Sequence, residues 1–187
     1  MAAEAKLFCF SFDLNSSTHR KNPQAVVSAS LRAFPQGKWT ASQVGLVIKA
    51  HPPKRRHPAW ERLKLLAAQD DCLHTVEQTL PRPELLALYE ACDGFVSLHR
   101  AEGFGRGIAE ALQLGLHVIT TGYSGNLGFC QAPELAAQVD LVRHRLVKVR
   151  PGQYPYAQGQ HWTNADVRHA AQCVQALVNR GDGPNPG

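Results

Sequence analysis

The chain has no long hydrophobic run, no paired-cysteine motif and no closely spaced histidine motif, and each absence excludes a class of protein. No apolar segment approaches the ~20 residues that cross a bilayer, and the amino terminus has no signal-peptide pattern. The five cysteines form no C-x-x-C pair, which argues against a disulfide framework or a structural zinc site. The nine histidines form no H-E-x-x-H or H-x-x-x-H pattern, so we expect no metal and no cofactor. A cytoplasmic protein is predicted.

The chain is basic, with a net charge of +5 and a pI near 9.1. Much of the excess lies in two clusters: Lys54, Arg55 and Arg56, and then Arg143, Arg145, Lys148 and Arg150. Such charge suits phosphate-bearing ligands or an anionic membrane surface, although solvated surface charge explains each cluster as well. Neither cluster is interleaved with aromatic residues, so no nucleic-acid partner is expected. Peripheral contact with the cytoplasmic face of a membrane is a further hypothesis.

Short apolar strands alternate with helical segments along the 187 residues. This pattern predicts an α/β fold: a single Rossmann-like domain with a parallel sheet and helices on both faces. We assign residues 1–180 to that domain and 181–187 to a disordered tail. Asn22 is expected to cap a helix that begins at Pro23. The predicted strands are 7–12, 44–48, 72–76, 94–98 and 116–120, with weaker signal at 140–149, and the predicted helices are 23–33, 60–68, 83–91, 105–114 and 164–179.

Three loops at the carboxyl ends of predicted strands carry the unusual residues, and ligands of such folds bind at that edge. The first loop places Arg20 and Lys21 before a helix start, where they suit a diphosphate or are ordinary surface charges. The second holds Glu102 and Glu110 around a glycine turn. Glu102 is either a ligand-binding carboxylate or a solvated loop acid, and Glu110 either binds ligand or pairs with Arg106 along the helix. The third loop is Gly122, Tyr123, Ser124, Gly125 and Asn126.

In these segments the chain resembles the nucleotide-sugar-binding half of the group 1 (family four) glycosyltransferases of the GT-B fold. The matching stretches are Phe12 to Ser16, Arg20 to Pro23, Pro83 to Tyr89, Cys92 to Leu98, the E-x7-E segment from Glu102 to Glu110, and Gly122 to Phe129. Residues 159–166, with Trp162, resemble the closing signature of a bacterial surface-polysaccharide subgroup. The resemblance covers about residues 7 to 178.

The resemblance implies a retaining, metal-independent hexosyltransferase that uses a UDP- or GDP-linked sugar and a glycan or lipid-linked acceptor. Lys21 and Glu102 are the implied catalytic residues: Lys21 neutralises the donor diphosphate, and Glu102 holds sugar hydroxyls. Glu110 is implied to bind the ribose. The remaining implied donor-binding residues are Asn15, Ser16, Arg20, Gly103, Phe104, Gly105, Gly122, Tyr123, Ser124, Gly125 and Asn126.

Three departures from the family pattern change what is expected. Ser16 stands where many relatives carry an arginine, and Gly128 stands where the polysaccharide subgroup often has an acid. GT-B enzymes use two Rossmann-like domains, and the acceptor-binding amino-terminal one is absent from this sequence. We therefore expect a fragment or split-gene product that binds donor but transfers no sugar alone. The alternatives are a non-catalytic nucleotide-binding or partner-docking module and a basic adaptor for polyanions.

Overall fold

The computed structural model describes residues 5–155, 157 and 159–180. The predicted tail, 181–187, lies outside this range. In chain order the elements are β1 (Lys6–Asp13), α1 (Thr18–Lys21), α2 (Pro23–Ala33), β2 (Val44–His51), α3 (Pro58–Ala67), β3 (Leu73–Glu77), α4 (Arg82–Glu90), β4 (Gly94–Ser97), α5 (Arg106–Gln113), β5 (His117–Thr121), α6 (Leu127–Cys130), a 3-10 turn (Pro133–Leu135), β6 (Val139–Val142), β7 (His144–Lys148), β8 (His161–Ala165) and α7 (Val167–Arg180).

The six strands β1 to β6 form one parallel sheet in the order β3-β2-β1-β4-β5-β6. The strand order reverses between β1 and β4, where Cys9 pairs with Phe95. The predicted Rossmann-like parallel sheet is therefore confirmed. In open sheets of this type, the crevice at the carboxyl ends of the two strands flanking that reversal is the usual ligand site.

Helices cover both faces of the sheet, because side chains of a strand alternate between faces and both sets here are apolar. On one face Phe8 contacts Phe34 beyond α2, and Phe12 contacts Trp60 of α3 with ring centroids 5.9 Å apart. On the other face Tyr89 of α4 packs on Phe95 and hydrogen-bonds Ser11. One continuous buried cluster joins both faces to the helices.

Two predictions, one for the segment after β1 and one for the segment before the last helix, were incomplete. The segment before Asn22 was predicted as a loop, but Thr18–Lys21 forms the helix α1, which Ser17 caps by accepting from the Arg20 N–H at 3.2 Å. The start predicted for the last helix was too early, because residues 161–165 form β8 in an antiparallel hairpin with β7. Trp162 is the buried anchor of that hairpin.

Asn22 occupies the predicted N-cap position of α2 but does not cap the helix with its side chain. Its backbone is left-handed, with φ at 56°, and its carboxamide instead donates to the Leu98 carbonyl at 2.8 Å. Asn tolerates this conformation better than most residues. The buried Asn22 side chain thus fastens the loop after β1 to the end of β4.

Candidate donor-binding site

The predicted loops after β1 and β4 meet at the point where the strand order reverses. Arg100 joins them: its N–H donates to the Arg20 carbonyl at 2.8 Å, and its guanidinium donates to the His19 carbonyl at 2.6 Å. The same guanidinium donates to Asn164 in β8 at 2.7 Å and lies over the ring of Trp162. Arg100 therefore fixes helix α1 between β4 and the β7–β8 hairpin.

Glu102 forms ion pairs with both cations of α1. Lys21 Nζ lies 2.5 Å from Glu102 Oε2, and Arg20 Nη1 lies 3.1 Å from Glu102 Oε1. Glu102 is not a solvated loop acid, since its side chain is only 12% exposed. The three residues form a cluster with one excess positive charge, hereafter the Glu102 cluster.

The two cations determine the ionisation of Glu102. Burial alone would raise the pKa of the carboxyl, but the hydrogen bonds and charges of Lys21 and Arg20 together outweigh burial, so that the pKa lies below its usual range. Glu102 is therefore an anion at neutral pH. An ionised carboxylate can accept hydrogen bonds from sugar hydroxyls but is a poor proton donor.

The loops after β4 and β5 are locked together by their backbones. The Glu102 N–H donates to Ser124 Oγ at 2.8 Å, and the Gly125 N–H donates to the Glu102 carbonyl at 3.0 Å. A Cβ added to Gly125 would lie 1.6 Å from the Gly103 carbonyl oxygen, so only glycine fits there. This contact positions Glu102 and the turn that follows it.

The turn after Glu102 ends at the amino terminus of α5, where no side chain caps the helix. Gly105 is the N-cap residue, with φ at 90°, a backbone conformation that glycine adopts readily. Uncapped N–H groups at a helix start attract anions such as phosphate. Phe104 is 59% exposed beside this start and rests on Phe129 at 5.1 Å between ring centroids.

Glu110, on α5, does not pair with Arg106 as the alternative interpretation required. Its Oε1 accepts from Arg82 Nη1 at 2.7 Å, at the start of α4. Glu110 is 16% exposed, whereas Arg82 is 68% exposed and can move away from the pair with little loss of packing. The Glu110 carboxylate is therefore accessible to a ligand that displaces Arg82.

The remaining predicted residues differ in what they offer a ligand. The Asn15 carboxamide joins the loops after β1 and β2, because it donates to Asp13 and Pro52 and accepts from the Lys54 N–H. Ser16 donates its hydroxyl to the Asp13 carbonyl. Tyr123 lies beside His144 with ring centroids 5.5 Å apart. These contacts shape the loops around the Glu102 cluster.

Asn126 and His99 form a buried polar pair under the site. Burial lowers the pKa of His99, which is therefore neutral, and its Nε2–H faces the Tyr123 carbonyl and Asn126 Oδ1, each at 3.2 Å. Ser97 donates to the other ring nitrogen at 3.2 Å. The Asn126 side chain is fully buried in these contacts, so it supports the loop rather than facing solvent.

One cavity of the described structure has no residue of the Glu102 cluster in its wall. It has a volume of about 800 Å³ and lies beside the start of α1, and the predicted site residues Asn15 and Ser16 are in its wall. Among the residues that the structure describes, no three His, Cys, Asp or Glu side chains are placed to share a metal ion. Within the same residues, no helix has both the length and the apolar character needed to cross a bilayer.

The sequence interpretation did not single out Arg82, Arg100 or His99. Arg82 and Arg100 act through contacts between distant segments, 28 residues apart for Arg82–Glu110 and 64 for Arg100–Asn164. Local sequence spacing cannot predict contacts between residues this far apart in the chain. For His99, the only sequence feature that pointed to the site was its position just after a buried strand, at the edge of the sheet where ligands bind.

The fold and the charged cluster define a Rossmann-like α/β domain whose candidate ligand site lies where the strand order reverses. The family model described as "Glycosyl transferases group 1" matches residues 17–132, more than half of the chain. The chain therefore belongs to the group 1 glycosyltransferases, and the family resemblance of its motifs is confirmed. No curated protein matches the chain.

Solved structures with the same fold include one isolated C-terminal domain and two longer chains. The C-terminal domain of a group 1 glycosyltransferase from Francisella tularensis is 16% identical with a TM-score of 0.63, and the match covers 94% of this chain and 77% of that one. A glycosyltransferase from Rickettsia africae is 16% identical with a TM-score of 0.65, covering 96% and 39%. Sucrose-phosphate synthase from Thermosynechococcus elongatus is 20% identical with a TM-score of 0.64, covering 94% and 36%. The chain thus spans well under half the length of these last two proteins.

Proposed function

We propose that this chain is the donor-binding domain of a retaining glycosyltransferase. It binds a UDP- or GDP-linked hexose, and a second domain supplies the glycan or lipid-linked acceptor. The observation that supports this most is the Glu102 cluster, which places one buried carboxylate and two cations beside the uncapped start of α5. A sugar with a diphosphate needs acceptors for hydroxyls and positive charge for phosphate, and both are present within this cluster.

The proposed chemistry depends on charge that develops during the reaction. As the bond between sugar and phosphate breaks, negative charge grows on the leaving diphosphate. Lys21 and the N–H groups of α5 stabilise that charge more strongly in the transition state than in the ground state. They supply the positive charge that the scheme needs, so it includes no metal. Glu102 orients the donor sugar, and Glu110 accepts from the ribose hydroxyls once Arg82 has moved.

Calorimetry of the purified chain with UDP, GDP and their glucose and mannose conjugates tests this function. We expect saturable binding of at least one, weakened about tenfold or more by Lys21→Ala because a charge-assisted hydrogen bond is worth about 1.5–3 kcal/mol. Lys38→Ala is the matched control, since Lys38 is an exposed lysine at the other edge of the sheet. Absence of nucleotide binding, or equal affinity of both variants, would refute the proposal.

Ribose recognition by Glu110 has its own control. Glu110→Ala should weaken UDP binding, whereas Glu90→Ala, at an exposed position on α4, should not. Inorganic pyrophosphate lacks the ribose, so its affinity should be the same in both variants. Equal losses of UDP and pyrophosphate affinity in Glu110→Ala would mean that Glu110 does not contact the ribose.

We also propose that the two basic clusters contact an anionic lipid surface. Their members are exposed, the exposed Leu146 lies within the second cluster on β7, and Leu65 is exposed on α3, the helix that follows the first cluster. Cations attract acidic head groups, and nearby apolar side chains insert between them. The chain should co-sediment with phosphatidylglycerol vesicles at low salt and not with pure phosphatidylcholine. Equal sedimentation with both would count against the contact.

A further inference from the structure

Lys49 is a buried lysine on β2 whose ammonium group has no protein partner. The residue is only 7% exposed, yet its Nζ forms no hydrogen bond or ion pair with any residue that the structure describes. Every fully buried side-chain nitrogen or oxygen among those residues has a hydrogen-bond partner. Because Nζ has none, it reaches the surface while the apolar stem of Lys49 lies buried. The three N–H donors of this ammonium are therefore available to a ligand.

The ammonium of Lys49 lies toward Asp13, at the carboxyl edge of the sheet. Lys49 pairs with Ser11 in the parallel ladder, so their side chains project from the same face, where Ser11 shares a hydrogen bond with Tyr89 of α4. Asp13, two residues beyond Ser11, projects from that face as well and is exposed at the end of β1. Burial lowers the pKa of Lys49, and the nearby charge of Asp13 opposes this effect.

Lys49 and Asp13, hereafter the Lys49–Asp13 pair, present a hydrogen-bond donor beside an acceptor. Asp13 Oδ1 accepts from the backbone N–H and the carboxamide of Asn15, at 2.8 and 2.9 Å. In the part of the chain that the structure describes, Oδ2 accepts no hydrogen bond and the two charged groups form no ion pair with each other. Their opposite charges offset one another, which suits a neutral polar ligand better than a phosphate.

The Lys49–Asp13 pair lies on the same face of the sheet as the proposed ribose site. The Tyr89 hydroxyl, which is on this face, lies close to α5: a Cβ added to Gly107 in the first turn of that helix would be 3.4 Å from the hydroxyl oxygen. Glu110 follows on the next turn of α5. The pair and Glu110 therefore line the same side of the carboxyl edge.

We propose that Lys49 and Asp13 recognise the nucleobase of the donor, and that they select a base with a carbonyl next to a ring N–H. This inference rests on the donor-binding function proposed above, which places the ribose at Glu110. Uracil and guanine have such an edge: the carbonyl accepts from Lys49, and the ring N–H donates to Asp13. Cytosine and adenine present an amino group next to an unprotonated ring nitrogen, so donor would face donor and acceptor would face acceptor.

Calorimetry of the full chain with two matched pairs of nucleotides tests this selection. UDP and CDP share the ribose and the phosphates and differ only at the carbonyl or amino edge of the pyrimidine. Inosine diphosphate and ADP differ in the same way among purines. In the pair that binds more tightly, the carbonyl nucleotide should bind at least tenfold more tightly than the amino nucleotide, because an amino base leaves both charged groups unpaired.

Variants assign the selection to these two residues. Lys49→Met keeps the buried stem and removes the ammonium, so the carbonyl nucleotide should bind about tenfold more weakly while inorganic pyrophosphate binds as before. Asp13→Asn, at an exposed position, should lower the ratio of carbonyl to amino affinity, since a carboxamide offers a donor as well as an acceptor. Lys6→Met is the matched control: Lys6 pairs with Asp93 at the opposite end of β1, so the ratio should not change.

Three results would overturn the inference. The first is equal affinity of the unmodified chain for both members of each nucleotide pair. The second is an unchanged affinity ratio in Lys49→Met and Asp13→Asn. The third is an equal loss of pyrophosphate and nucleotide affinity in Lys49→Met, which would place Lys49 at the phosphates. Binding of no nucleotide would refute the donor function together with this inference, whereas nucleotide binding without base preference would refute the inference alone.

Discussion

In the structure without ligand, Glu102 forms ion pairs with the two cations of helix α1, Arg20 and Lys21. The carboxylate partly neutralises the positive charge of Lys21 and Arg20, which is the charge that a diphosphate would use. Under the function proposed above, the diphosphate of a donor would compete with this carboxylate for Lys21 and Arg20. We expect this competition to disfavour simple phosphates, and a nucleotide sugar to offset it by offering hydroxyls to the released carboxylate.

The first prediction follows from this competition. Glu102→Gln should bind UDP or pyrophosphate more tightly than the unmodified chain, because Lys21 and Arg20 are no longer neutralised. The gain should be smaller for a UDP-sugar, which loses its hydroxyl acceptor. Calorimetry with the ligands compared in parallel measures both effects. Weaker UDP binding by this variant would show that Glu102 does not compete for the cations.

The second prediction concerns pH and a residue outside the site. The hydrogen bond from His117, at 2.8 Å, outweighs burial and lowers the pKa of Asp140 below its ordinary 3.8. A lowered folded-state pKa stabilises the fold above the unfolded-state value, and this contribution is lost as pH falls through the folded value. Asp140→Asn should therefore reduce the free energy of unfolding at neutral pH, and the difference should disappear in strong acid. Urea unfolding at several pH values measures it; a pH-independent difference would contradict it.

At the scale of elements, the sequence predicted the regular strands and helices well because buried parallel strands are continuous apolar runs. Segments whose structure depends on distant partners were missed. The polar residues of α1 gain their order from Arg100 and Asn22, and β8 has one buried aromatic residue, Trp162, among polar neighbours. The secondary-structure propensities of nearby residues therefore could not predict α1 or β8.

The third prediction tests the junction between the loops after β4 and β5. Gly125→Ala should separate them, since the added Cβ would overlap the Gly103 carbonyl. The thermal midpoint and nucleotide affinity should both fall. Gly128→Ala is the control, because nothing lies within 4 Å of its added Cβ and alanine favours the helix α6. If both variants behave alike, the contact does not support the site.

The fourth prediction concerns the fastening of α1. Arg100→Lys keeps the charge but loses the planar guanidinium that bonds His19 and Asn164 together. Amide hydrogen exchange should accelerate at Arg20 and Lys21, where N–H groups bond back to Ser17. UDP affinity should fall as α1 loosens. Unchanged exchange at these two amides would show that Arg100 does not order the helix.

At the scale of the whole molecule, the sequence identified Arg20, Lys21 and Glu102 as separate candidate residues, and the structure brings them into one charged cluster. The sequence predicted that Glu102 and Glu110 flank a glycine turn between a strand and a helix. It could not show that Glu102 binds both cations or that Glu110 binds Arg82. Those partners come from other loops and another helix, and only the folded arrangement of strands brings them together.

The fifth prediction concerns the domain as a unit. One continuous core joins the sheet to its helices, so unfolding should be cooperative and ligand binding should stabilise the whole fold. UDP at one hundred times its dissociation constant should add about 2.7 kcal/mol. For a chain of this size that corresponds to a rise of roughly 5–10 °C in the thermal midpoint. Calorimetric scans with UDP and with uridine as control measure it, and no rise under saturation would exclude binding to the native state.

The close approach of Gly125 to Gly103 also limits how this domain can be redesigned. The two loops share one backbone contact, so lengthening either would pull its partner out of register. A change of ligand preference at this site should therefore require exchanging both loops together from a single relative rather than grafting one. Side chains such as Phe104, which stands out from the junction, can be varied singly without disturbing it.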